Sequence, residues 1–118
     1  MINTLTRSEV ERAINLMNGC CVNYRKLIGS LEGYKDAVRQ AEGGEFCVCD
    51  YDLSDDTLDI FDGIEEVQRD YCILLRRAEK INLNGTEKAR DAVVEFFHMH
   101  NDVEQKWGRV SRAMNNQT

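Results

Sequence analysis

Proline is missing from all 118 residues, so only glycine and polar clusters are left to punctuate helices. Long apolar runs are missing as well. The longest, Tyr71 to Leu75, is far short of the ~20 residues that cross a bilayer, which excludes a transmembrane reading. The opening Met1-Ile2-Asn3-Thr4 lacks the basic-then-apolar pattern of a secretory leader, so the expected location is the cytoplasm. Basic residues are the minority, 15 Lys plus Arg against 21 Asp plus Glu. A net charge of −6 argues against nonspecific binding to nucleic acid or to an anionic membrane.

Cysteine is present but poorly arranged for cross-linking. Five cysteines make an odd count, with Cys20 and Cys21 adjacent and Cys47 and Cys49 separated by one residue, so free thiols are the simpler expectation. Histidine occurs twice, at His98 and His100. On a helix that spacing is 200° of rotation, so the two rings cannot chelate one ion. Glu95 and His98 match one half of a di-iron bundle motif, but no second Glu-x-x-His accompanies them. Neither phosphate-loop pattern, G-x-x-x-x-G-K or G-x-G-x-x-G, occurs, and no local Cys or Ser, His and acid trio stands out. Arg90 precedes His98 with seven residues between them, a wider gap than the helical ribonuclease motif uses. The expectation is a protein without catalytic activity, cofactor or metal.

What the chain does have is helical rhythm. Val10, Ile14, Met17, Cys21, Tyr24, Ile28 and Leu31 recur in steps of four and three, which holds one apolar seam against a partner helix. Thr6 and Glu9 read as a capping box at its start, with Leu5 stapled against Val10. A shifted seam through Leu27, Leu31, Tyr34, Val38 and Ala41 carries on to Gly43-Gly44, and Gly29 and Gly33 predict a kink or split near 29–33. A second seam runs Ile60, Ile64, Val67, Tyr71, Leu74, Ala78, Ile81 after a start at Ser54, and Asn82-Leu83-Asn84-Gly85 ends it. The third, from near Thr86, runs Ala89, Val93, Phe96, His100, Val103, Trp107, Val110, Met114. Three matched seams and a short turn between the last two predict an all-α fold: an antiparallel three-helix bundle, one domain over 1–118. Residues 43–53 form an acidic loop in this reading and 115–118 a polar tail. His100 is expected as a seam histidine hydrogen-bonded to a neighbouring helix, and Cys21 and Cys72 as small buried apolar residues.

Charge is distributed unevenly. Gly43 to Cys72 hold ten acidic residues and one basic, while the segments on either side are slightly positive. Asp55, Asp59, Asp62 and Glu66 step by four and three along the second helix, rotated roughly 130° from its seam. The acids near the helix start suit its positive dipole end, worth ~0.3–1 kcal/mol each, and Arg76, Arg77 and Lys80 suit the other end. The functional expectation is that Asp55, Asp59, Asp62 and Glu66, with Asp50 and Asp52 of the loop, form a partner-binding face for a basic groove on a larger protein. Antiparallel packing also brings Lys106, Arg109 and Arg112 level with the acids, where they can neutralise some of them. Asp50 to Asp56 resembles a calcium loop only in part, because Asp55 stands at the turn glycine and Phe61 at the bidentate glutamate. Arg76, Arg77, Lys80, Lys88 and Arg90 make a basic pole, but without interleaved aromatics or a recognition-helix pattern it does not argue for direct nucleic-acid contact. Two alternatives stand beside the acidic face: a thiol metal site built on Cys47 and Cys49, and a scaffold or homodimer formed by the long first helix. In general character the chain is similar to small phage and mobile-element inhibitors, anti-CRISPR proteins among them, a likeness of composition that implies no particular residues.

Overall fold

The computed structural model describes residues 5–43 and 53–116. Three helices pack against one another: α1 (Arg7–Gly43), α2 (Asp55–Asn84) and α3 (Arg90–Asn116), with a 3-10 turn (Thr86–Lys88) between the last two. The fold is the all-α three-helix bundle predicted by the seams, without strands among the described residues.

Each start has a local cause. The Glu9 backbone N–H donates to Thr6 Oγ1 at 3.1 Å while the Thr6 N–H donates to Glu9 Oε1 at 3.4 Å, closing the capping box. Leu5 is half-buried against the core that contains Val10. At α2, Ser54 is the N-cap, its Oγ accepting from the Thr57 N–H at 3.2 Å. Gly85 ends α2 with φ 78° and ψ 169°, a conformation essentially reserved for glycine. The third helix starts at Arg90 rather than Thr86, because the chain first makes the 3-10 turn. It continues through Asn115 and Asn116 of the supposed tail.

The predicted split of the first helix is not found. It runs unbroken for 37 residues, about 55 Å at 1.5 Å per residue, matching the 55 Å long axis of the molecule. Gly29 and Gly33 are exposed positions on that helix. Their cost of roughly 1 kcal/mol each is a propensity penalty that the packed seam absorbs.

All seven seam residues of α2 are buried, and α2 packs extensively on both neighbours, whereas α1 and α3 touch each other least. Antiparallel register between α1 and α2 is visible in three facing pairs, Asn18–Asn82, Lys35–Glu65 and Arg39–Phe61. Between α2 and α3, Gly63 allows close approach: a Cβ there would lie 3.0 Å from Val110 Cγ2.

The seam of α1 is not apolar throughout. The shifted seam ends at an exposed Ala41, while the strict rhythm passes from Leu31 to Lys35, which is 5% exposed. The Lys35 ammonium contacts Glu32 Oε1 at 2.8 Å and donates to Gln68 Oε1 at 3.2 Å. Gln68, itself buried, donates to Ile28 O at 3.2 Å and Glu32 Oε1 at 2.9 Å. No buried side-chain nitrogen or oxygen among the described residues lacks a partner, the condition under which a buried charge is tolerated.

Candidate interaction surface

The acidic face has a simple origin: on α2 the seam turns inward, so positions half a turn away turn outward. Asp55, Asp56, Asp59, Asp62 and Glu66 are all exposed. The first two occupy the opening turn, where the unpaired N–H groups and the helix dipole favour them. Along the same outward stripe, the four acids give way to Arg69, Ile73, Arg76 and Lys80.

Of the four stripe acids, the structure engages one internally. Lys106 of α3 sits between Glu66 Oε1 at 2.8 Å and Asp70 Oδ2 at 2.9 Å. The Lys106 hydrogen bond holds the Glu66 carboxyl below the usual carboxylate range, and the same two acids push the Lys106 ammonium up. Asp55, Asp59 and Asp62 make no ion pair among the described residues. The expected neutralisation from α3 is therefore local to Glu66 and Asp70. Asp50 and Asp52 lie outside the described residues, as do Cys47 and Cys49 of the alternative metal site. Among the described residues no group of three or more His, Cys, Asp or Glu is placed to hold a metal ion.

Sequence reasoning missed the most concentrated chemistry, a cleft of about 360 Å³ between α1 and α3. Its floor is a stacked pair, Tyr24 and Tyr71, with ring centroids 4.7 Å apart and planes 20° from parallel. The Tyr24 hydroxyl is hydrogen-bonded to His100 Nδ1, the interhelical partner expected for a seam histidine, and the Tyr71 hydroxyl donates to Glu104 Oε1 at 3.1 Å. Cys20 and Trp107 line the same cleft. Burial pushes both phenols well above the usual tyrosine value, with Cys20 adding to the effect on Tyr24 and Glu104 to that on Tyr71. Burial likewise pushes the Cys20 and Cys21 thiols up. These thiols are protonated at neutral pH, the opposite of a nucleophile's requirement, and the tyrosines act as neutral hydrogen-bonding groups. His98 points elsewhere, into a shallow concavity with Leu5, Ala13 and Phe97, as 200° of rotation dictates.

Cys72 contradicts its expected role. It is exposed, because the residue after a seam position lies 100° around the helix from it. Cys21 is buried as expected. No helix among the described residues is long and apolar enough to cross a membrane. Comparison of the chain with protein-family models, with curated proteins and with solved structures finds no match.

Proposed function

We propose that this chain is a noncatalytic protein–protein interaction module whose acidic end docks a basic surface on a larger protein, of the kind that otherwise holds nucleic-acid phosphates, and blocks it. The observation that carries the reading is the outward row Asp55, Asp59 and Asp62: three exposed carboxylates, one helical turn apart, with no cation of the described chain upon them. Unsatisfied charges of one sign in a row create a field that steers and orients an oppositely charged partner. Asp56 adds to this field, and Glu66 contributes less because Lys106 already holds it. An inhibitor of phage or mobile-element origin, anti-CRISPR proteins being the type, is the finer form of this reading and is supported by composition alone.

The test compares the native chain with the combined variant Asp55→Asn, Asp59→Asn, Asp62→Asn, Glu66→Gln. Native protein captures its partner from host lysate at low salt, releases it as salt rises, and loses it to added duplex DNA. The variant keeps its helical circular dichroism and binds at least about tenfold more weakly, equivalent to about 1.4 kcal/mol. Equal capture by both proteins, or a complex indifferent to salt and DNA, defeats the proposal.

A further inference from the structure

A second surface, on the other side of the molecule from the acidic face, is defined by its lack of charge. Along α1 the flank facing α3 reads Ala13, Leu16, Cys20, Asn23, Leu27, Ser30, and along α3 the facing flank reads Val94, Phe97, Asn101, Glu104, Gly108, Ser111. In a chain that is 31% charged, these two stripes carry one ionised side chain between them, Glu104, which is exposed and accepts from the Tyr71 hydroxyl through Oε1 alone. They border one groove, since Ala13, Val94 and Phe97 line its first concavity while Cys20, Asn23, Leu27 and Glu104 line the 360 Å³ cleft beyond it. Between the two concavities stands Leu16, 66% exposed. A leucine projecting from an uncharged stripe beside an aromatic cleft has the form of half an interface.

We propose that the occupant of this groove is a second copy of the same chain, related by a two-fold axis at the level of Cys20. Three features of the molecule meet under that one operation. Leu16 lies one turn before Cys20 and the cleft at Tyr24 one turn beyond it, so each copy's Leu16 enters the other's cleft. Tyr24 and His100 set the levels of α1 and α3, which puts Glu104 level with position 28; Arg12, exposed and without an ion pair among the described residues, lies eight residues before Cys20 and Glu104 eight beyond. The axis therefore sets each Arg12 opposite the other copy's Glu104, the self-complementarity an isologous contact demands. Finally, a two-fold axis at Cys20 lets the α1 helices overlap from Arg7 to about position 33, roughly 40 Å.

The test uses the full chain. Sedimentation equilibrium gives a mass rising with concentration to twice 13.6 kDa, and Leu16→Glu raises the dissociation constant at least about tenfold while leaving the helical spectrum unchanged. In a variant with Cys47, Cys49 and Cys72 replaced by serine, a short bismaleimide joins two chains through Cys20, and adding Cys20→Ser removes the product. A monomer at every concentration overturns the proposal and leaves the groove to a helix of a different protein. A dimer indifferent to Leu16→Glu and uncross-linked at Cys20 overturns it equally. Neither outcome bears on the acidic face, which lies on α2.

Discussion

Alkali should unfold this protein through Tyr24 and Tyr71. The two residues are 2% and 1% exposed, their rings are stacked, and burial pushes both phenols above the usual value of about 10. In the unfolded chain each phenol loses its proton near pH 10, whereas in the folded chain it keeps it. Above that pH the unfolded state binds fewer protons, so stability is fully present below about pH 10 and falls as the pH rises. Each group removes about 1.4 kcal/mol per pH unit, so the pair removes about 3 kcal/mol by one unit above the free value, against the ~5–15 kcal/mol that holds a typical domain together. Urea midpoints measured from neutral pH upward should show this slope. Tyr24→Phe should cost about 1 kcal/mol at neutral pH, by deleting the hydrogen bond to His100, yet halve the alkaline loss attributable to the pair. The difference between the native and Tyr24→Phe slopes removes the contribution of every group common to both proteins. Tyrosinate absorbance of the native protein should rise for these two residues only together with loss of the helical signal. A flat alkaline profile, or an identical slope in Tyr24→Phe, refutes the reasoning.

Other changes test other parts of the fold. Gly29→Ala and Gly33→Ala should each stabilise by about 0.5–1 kcal/mol in thermal melts, because an added Cβ meets nothing within 4 Å at either position; a loss in either would show that α1 needs its glycines. Gly63→Ala should gain less than these or lose stability, since the new Cβ meets Val110 Cγ2 at 3.0 Å, and the shortfall should shrink in a Val110→Ala background. Lys35→Met should cost about 2 kcal/mol by stranding Gln68 Oε1, and adding Gln68→Leu should restore most of that in urea denaturation. An equal loss in the double variant would show that the polar cluster is not a coupled unit.

The helices and their order were legible because the information lies along single segments. Ile60 to Ile81 form a seam that only one rotation of α2 can bury, and Ser54 and Gly85 mark its ends in the sequence itself. What the sequence did not disclose depends on pairs of segments. Lys35 falls on the four-three rhythm, but a lysine reads as surface until Glu32 and Gln68 are known to meet it. Phe61 lies off the seam and is buried in the core, with the Arg39 guanidinium of α1 5.2 Å from its ring centroid. The aromatic cleft needs Cys20, Tyr71 and Glu104 from three helices around one opening, which no single period encodes. The Lys106 bridge to Glu66 was partly readable, since antiparallel order brings the α3 bases alongside the acids; which acid it selects was not. The charge-poor flanks of α1 and α3 were present in the sequence as a second rhythm beside the first, and are hard to read because a pattern of absences has no residue to point to.

The polar cluster also explains why α1 settles at one height. A seam that repeats every seven residues leaves two antiparallel helices nearly indifferent to sliding by one repeat, because each apolar layer meets another apolar layer. Sliding by seven places Phe61 or Leu75 where Gln68 now receives Lys35, burying an ammonium against a hydrocarbon wall. Removing the partner of a buried charge costs roughly 3–5 kcal/mol, comparable to the whole stability of a marginal domain, so the slipped forms are excluded although their apolar packing is acceptable. The amide pair Asn18–Asn82 at the far end, at 2.8 and 3.3 Å, enforces the same height from the other side. The cleft depends on that height, because Tyr24 must stand level with His100 for it to exist.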